Sequence, residues 1–427
     1  MKVLVVGAGG REHALSWKIS QSTLVTSVFV APGNGGTELE DHLTNVDIQA
    51  DDIEGLASFA LEEGIDLTIV GPEDPLVNGI TDRFNNLGLK CFGPSKGAAQ
   101  LEGSKEFMKD FLQRHHIPTA EYSSFSDTER AIEYVEQKGC PIVIKADGLA
   151  AGKGVTIAHT VEEAKEAIYQ SLESKVFGEA GKKIVIEEFL DGEEASFIVM
   201  TDGTNVVPFA SSQDHKALED NDKGPNTGGM GAYSPAPIVD EYVHEKIMNE
   251  IIFPTLKGLK KDGYKYCGFL YAGMMIDKNK KLKVLEFNCR FGDPETQPIM
   301  MRLKSDLAAL CDQACDDNLI EQPLEWDSRK AIGVVLAAKG YPHGYAKGKD
   351  ITNIPSEKDD LKIFHAGTKI ESNSLKSNGG RVLCVTSLGD SVESAQNKAY
   401  DAISEIEWED AYYRKDIGYR AIARERK

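Results

Sequence analysis

Glu286, Asn288 and Arg290 alternate with Leu285, Phe287, Cys289 and Phe291. Side chains of an extended strand point to opposite faces in turn, so this spacing predicts an apolar face and a face that gathers a carboxylate, an amide oxygen and a guanidinium. Such a trio is costly in a plain core. Hard oxygen donors from Glu286 and Asn288 suit Mg2+ shared with phosphate oxygens, and Arg290 suits charge on a transferring group. The alternative is an exposed edge strand with scattered polar residues. The polar continuation Gly292-Asp293-Pro294-Glu295-Thr296-Gln297 disfavours it.

Two glycine-rich loops point to phosphate. Gly7-Ala8-Gly9-Gly10-Arg11-Glu12 follows an apolar run and opens a helical pattern, where free N–H groups and the helix dipole favour an anion. Its third glycine position holds Glu12, and the second strand ends in Ala31-Pro32 with no acid to grip a ribose. Both departures disfavour a nicotinamide-dependent oxidoreductase. A tight turn without ligand stays open. The second loop, Asp147–Gly154, follows Lys145, lacks Walker spacing and joins strand to strand. Its small residues let N–H groups approach phosphate oxygens; a hairpin with solvated lysines weighs about evenly. In Val185–Leu190 backbone groups can read adenine's edge, with Glu193 and Glu194 near ribose hydroxyls, although taken alone this segment reads better as ordinary surface.

These residues need elements to hold them. The first hundred residues alternate strand and helix: strands at Lys2–Val6, Ser27–Val30, Leu67–Val70 and Lys90–Phe92, helices at Glu12–Ser20, Asp51–Glu63 and Ile80–Leu87. That alternation predicts a doubly wound parallel sheet, whose ligands gather beyond the strands' carboxyl ends. From Ser104 the pattern changes: helices at Lys105–His116, Ala131–Gln137 and Val161–Ser171, strands at Pro141–Lys145, Val155–Ala158, Lys183–Glu187, Ser196–Thr201 and Val206–Phe209. A long polar loop is expected over Ser211–Pro237, a helix over Tyr242–Leu259, and a hairpin from Phe269–Asp277 and Leu282–Asn288. Beyond Trp326 come strands at Lys330–Ala337, Ile363–Ile370 and Gly380–Leu388 and a helix at Val392–Ile403, an α+β region.

Composition narrows the class. In 427 residues, 68 Asp and Glu outnumber 48 Lys and Arg, for a net charge of −20, which argues against nucleic acid and anionic membrane as partners. Seven cysteines are too sparse for a disulfide scaffold, and no apolar run approaches the roughly 18 residues of a membrane span. The short apolar opening runs into Arg11, Glu12 and His13, so it reads as a buried strand and not a signal peptide. A cytoplasmic setting is expected.

In order and spacing, GAGGREHAL, APGNGGT, GPEDPLVNGI, IKADGLAAGKGV, SSQDHK, GPNTGGMGAYSPAP and LEFNCRFGDPETQ resemble the ATP-grasp superfamily and, within it, the glycinamide ribonucleotide synthetase family. The resemblance covers essentially the whole chain. It implies an N-terminal α/β domain at 1–103, an ATP-grasp fold at 104–325 with a mobile lid at about 120–190, and a C-terminal α+β domain at 326–427. It implies the single-activity form, with small-molecule substrates: ATP, glycine and 5-phosphoribosylamine; nothing in the sequence demands an oligomer, and a monomer is expected. They would give ADP, phosphate and glycinamide ribonucleotide through glycyl phosphate, a step of purine synthesis. Lys105, Lys145, Gly152 and Lys153 would meet the ATP phosphates, Glu187, Phe189 and Leu190 the adenine, and Glu194 the ribose. Glu286 and Asn288 would hold Mg2+ or Mn2+. Arg290, Asp293 and Asp214 would serve acyl transfer, with Asp214 or Asp293 at the glycine ammonium. Gly9, Gly10 and Glu73 would hold the phosphoribosyl group, and the 148–154 loop would exclude water. Many relatives carry another acid on the preceding strand, where this chain has Tyr271-Ala272-Gly273-Met274. Another ATP-grasp carboxylate–amine ligase and a non-catalytic nucleotide sensor are the rival readings.

Overall fold

Val3, Leu4, Val5 and Val6 are fully buried on both faces of the first strand, as a central parallel strand requires. In this computed structural model, which describes residues 1–149, 154–174 and 178–426, that strand lies in the middle of a parallel sheet. Strands β1 (Lys2–Gly7), β2 (Ser27–Pro32), β3 (Leu43–Asn45), β4 (Leu67–Val70) and β5 (Cys91–Phe92) take the order β3-β2-β1-β4-β5. Chain order reverses beside β1, so Gly9, Gly10 and Glu73 follow the carboxyl ends of β1 and β4 at the switch point.

Two four-stranded antiparallel sheets follow. The first joins β6 (Tyr122–Phe125), β7 (Ile142–Ala146), β8 (Val155–Ala158) and β9 (Ile184–Glu188) in the order β6-β9-β7-β8. The second contains β10 (Glu193–Thr201), β11 (Val206–Pro208), β16 (Gly268–Ile276) and β17 (Leu282–Asn288) in the order β11-β10-β16-β17. They approach where Lys145, near the end of β7, donates to the Leu285 carbonyl of β17 at 3.2 Å.

The segment expected to be a loop over 211–237 instead holds β12 (Gln213–Asp214), β13 (Ala217–Glu219), β14 (Lys223–Asn226) and β15 (Gly231–Ser234). β15 pairs with β18 (Lys330–Ala338), almost a hundred residues away, a pairing that no local periodicity announces. The same sheet takes β19 (Leu361–His365) and β22 (Arg381–Gly389), with β23 (Ala411–Tyr412) on β18, while β20 (Thr368–Glu371) and β21 (Ser374–Ser377) form a separate hairpin. The single strand expected over Ile363–Ile370 is therefore broken at Ala366-Gly367. The expected helix at 242–259 is interrupted by a π turn, Met248–Ile252, just before Pro254, which has no N–H to give to the carbonyl four residues back. Short helices at Glu73–Asn78, Gln100–Gly103 and Thr296–Arg302 were not anticipated.

Register explains the central strand. Gly273 pairs with Glu286 but Met274 pairs with Val284, so Leu285 is an extra residue, a bulge. Leu285 therefore does not share the buried face with Phe287, Cys289 and Phe291, as strict alternation had it; it is half-buried and its carbonyl meets Lys145. One hydrophobic cluster runs from Val3 and Phe92 through Phe269, Phe291 and Ile299 to Phe364, so the first sheet, the β16 hairpin and the C-terminal sheet share a core.

Candidate active site

Lys105 opens the helix Lys105–Arg114, which Ser104 caps by accepting from Phe107 N–H at 3.1 Å. Its ammonium donates to the Gly148 carbonyl at 2.9 Å, at the entry to the second glycine loop. Lys145 Nζ lies 3.0 Å from Glu187 Oε1, and Lys109 Nζ lies 2.9 Å from Glu187 Oε2. Glu187, 2% exposed, is thus the counter-ion between two buried lysines. Burial pulls the Lys109 ammonium down to about 8 despite that carboxylate. Phe189 is exposed beyond the strand end, its ring 6.4 Å from that of His159, and Leu190 is partly buried beside it. Gly152 and Lys153 lie outside the described residues.

Around Glu286 the charges are interlocked. Lys216 Nζ lies 3.0 Å from Glu194 Oε2 and 3.4 Å from Glu286 Oε1. Lys216, with Lys145 and Lys105 behind it, outweighs burial and holds the Glu286 carboxyl down at about 2, so it is a fully ionised donor. Among the described residues the Asn288 side chain makes no hydrogen bond, which leaves its amide oxygen available on the same face. Opposite Glu286 sits Gly273, where even a Cβ would come within 3.1 Å of Glu286 Cγ. The described residues contain no group of three or more His, Cys, Asp or Glu placed to hold a metal. One carboxylate and one amide oxygen fit a hard cation whose remaining ligands come from phosphate and water.

Asp214, on β12, is buried, and burial together with Glu295, Glu194 and Glu286 outweighs Lys216 to raise its carboxyl to about 8. The Asp214–Lys216 loop is anchored by His215, whose Nε2 accepts from Gly418 N–H at 3.0 Å. Glu295 is 3% exposed and accepts from Ser196 Oγ at 2.9 Å, which lies 3.1 Å from the Tyr271 hydroxyl.

Beyond β17 the chain reaches the first domain. Asp293 accepts from Gln297 Nε2 at 2.9 Å and pairs with Arg381 Nη2 at 3.1 Å. A Cβ added to Gly9 would lie 3.5 Å from Asp293 Oδ2, and one added to Gly10 would lie 2.6 Å from Gln297 Nε2. Gly10 thus abuts the 293–297 segment, whereas at Gly9 the tight contact is with Glu12 Oε2, 2.7 Å from such a Cβ, and Asp293 lies at ordinary van der Waals distance. The Gly9 N–H is already taken by Glu12 Oε2 at 2.6 Å, an internal cap on this turn that the sequence pattern did not reveal. Arg290 Nη2 pairs with Glu102 at 2.8 Å, and its Nε lies 3.4 Å from Glu73 Oε2, which Arg11 also approaches at 3.9 Å.

The structure therefore gathers Lys105, Lys145, Glu187, Glu194, Asp214 and Glu286 along one set of charge contacts, and Gly9, Gly10, Glu73, Arg290 and Asp293 along another, with β17 and its continuation joining them. Sequence reasoning left Lys109, Glu102, Glu295 and Arg381 unassigned, and quoted Lys216 without a role. The SSQDHK and LEFNCRFGDPETQ phrases carried Lys216 and Glu295, whereas Arg381 sits in a segment with no motif.

Family models match the chain in three consecutive parts: the phosphoribosylglycinamide synthetase N domain over residues 1–102, its ATP-grasp (A) domain over 103–296 and its C domain over 331–420. The chain is 61% identical over its full length to all of the phosphoribosylamine–glycine ligase of Escherichia coli O157:H7, and 60% identical, over 100% of this chain and 99% of the relative, to that of Vibrio vulnificus (strain CMCP6). The crystal structure of phosphoribosylamine–glycine ligase from Thermotoga maritima superposes with a TM-score of 0.85 at 34% identity, covering 98% of this chain and 100% of that one. The chain belongs to the phosphoribosylglycinamide synthetase family, with the N, ATP-grasp and C domains in that order.

Proposed function

We infer that this chain is an ATP-dependent carbon–nitrogen ligase that joins glycine to 5-phosphoribosylamine, releasing ADP, phosphate and glycinamide ribonucleotide in purine biosynthesis. The observation that carries the reading is the run of chain from Glu286 to Gln297, which begins among the lysines of the nucleotide side and ends against Gly9 and Gly10.

Lys105 and Lys145, with Gly152 and Lys153, hold the ATP phosphates. Phe189 and Leu190 line the adenine, Glu194 meets the ribose, and Glu187 holds Lys145 in place. Glu286 and Asn288 hold a divalent cation, Mg2+ or Mn2+, which neutralises phosphate-oxygen charge when bound. Glycine's carboxylate takes the γ-phosphoryl group in line, giving glycyl phosphate; positioning and charge, not a protein nucleophile, lower the barrier. Asp293 is already held by Arg381 and Gln297, whereas Asp214 accepts no side-chain hydrogen bond among the described residues, so Asp214 is the acceptor for glycine's ammonium. The amine of phosphoribosylamine, held by Gly9, Gly10 and Glu73, then attacks the acyl carbon and expels phosphate, beside Arg290. Water has to be kept from this acyl phosphate. The reading carries a monomer working in the cytoplasm.

The test is ADP release with and without glycine plus freshly made phosphoribosylamine, in Mg2+ and in Mn2+. ADP formation that needs both co-substrates supports the reading. ADP release with another amino acid in place of glycine would favour a different carboxylate–amine ligase.

A further inference from the structure

Glu102 lies on the short helix Gln100–Gly103, directly before Ser104 and Lys105, with its side chain 7% exposed. One oxygen sits 2.8 Å from Arg290 Nη2 and the other accepts from Cys289 N–H at 2.7 Å. It thus grips the chain just beyond Asn288, by the backbone of Cys289 and the side chain of Arg290 together. Arg290 Nη1 donates to the Phe291 carbonyl at 3.1 Å, and its buried Nε has no hydrogen-bond acceptor among the described residues. That Nε still lies 3.4 Å from Glu73 Oε2, so the guanidinium spans Glu102 and Glu73 beside the first-domain turn. Burial, with Glu73 adding to it, raises the Glu102 carboxyl to about 7 against the opposing pull of Arg290, Arg11 and the Cys289 N–H; Tyr266 and the Cys289 thiol are further titratable neighbours.

We propose that Glu102 is a positioning residue for the ligation, aligning the Arg290 guanidinium and the strand that carries Glu286 and Asn288 with the first-domain turn. Glu102 does not touch substrate; it acts through Arg290. The proposal rests on the ligase reading given above. Its signature is a loss in turnover without a loss in nucleotide binding, because Lys105, Lys145 and Glu187 are held by contacts of their own.

Glu102→Gln keeps an acceptor for Cys289 N–H and discharges the partner of Arg290. The expected result is a kcat at least about tenfold lower, a KM for ATP within about threefold of wild type, and an unchanged rise in Tm on adding ATP with Mg2+. Wild-type kcat, or a KM for ATP that rises in proportion to the loss, overturns the proposal. Should this variant not fold, Glu102→Asp is measured in the same way: lower kcat at unchanged KM supports the assignment and full activity overturns it. The wild-type enzyme run in parallel separates the two levels of inference. A wild type that forms no glycinamide ribonucleotide removes the ligase reading, whereas an active wild type beside an equally active variant removes only the role of Glu102.

Discussion

Lys216 Nζ lies 3.4 Å from Glu286 Oε1, so the carboxylate best placed to bind a cation is already compensated by one. The pair keeps Glu286 ionised throughout the physiological range and gives the acidic pocket a positive charge before any metal arrives. A divalent ion held by Glu286 and Asn288 would compete with that ammonium.

Glu286→Gln should therefore cost more turnover than the roughly 10–100-fold typical of removing an outer partner of a metal site. The side chain is partly exposed, so Tm should stay close to wild type. Steady-state ADP release titrated with Mg2+ checks this. Near-normal turnover at ordinary Mg2+ would remove Glu286 from the metal site.

Asp214 makes a pH prediction. Its folded value of about 8 lies above the ordinary 3.8, so the unfolded chain gives up this proton first as pH rises. The stability that the protonated group contributes is complete below about pH 4, drains away as pH climbs toward 8, and is gone above it. Asp214→Asn cannot ionise and escapes that loss. Calorimetry of the ligand-free proteins should find the variant gaining on wild type in Tm between pH 5 and pH 8. Parallel Tm curves over that interval would refute the raised carboxyl.

The carboxylate of Glu187 separates two buried ammonium groups, and removing it strands both. Glu187→Ala should destabilise by about 3–5 kcal/mol, the usual cost of leaving a buried charge without its partner. Urea unfolding measures it. A change within about 0.5 kcal/mol, as at an ordinary surface site, would show that the lysines do not depend on Glu187.

Period-two patterning made β17 legible, because its polar face has to be paired or bound to something and its apolar face has to be buried. The bulge at Leu285 was not legible, since an inserted residue leaves the pattern intact on both sides and only the register with β16 exposes it. The parallel sheet followed from its buried runs and turns. The strands between 213 and 234 did not, because each is only two to four residues long: β12 and β15 are completed by β18, which begins at Lys330, and β13 and β14 pair only with each other. Glu187 shows a similar limit: its place at a strand end was readable, but its two lysine partners come from other elements. Glu12 was visible as an interruption of a dinucleotide fingerprint, yet its capping of Gly9 N–H emerges only from the helix geometry.

Arg381 reaches from β22 into the junction of the three domains. Its Nη1 donates to the carbonyls of Gly228 at 2.6 Å and Asp293 at 2.7 Å, while Nη2 pairs with the Asp293 carboxylate at 3.1 Å. Both Gly228-Gly229 and Asp293 are thereby fixed by one planar fork, a geometry that a lysine ammonium does not reproduce. Arg381→Lys keeps the charge beside Asp293 and loses the simultaneous grip on the two loops. Turnover should fall by about tenfold or more, with KM for ATP little changed, since neither Lys105 nor Lys145 contacts Arg381 among the described residues. Full activity in this variant would mean that charge alone, and not the fork, holds Asp293 against the first-domain turn.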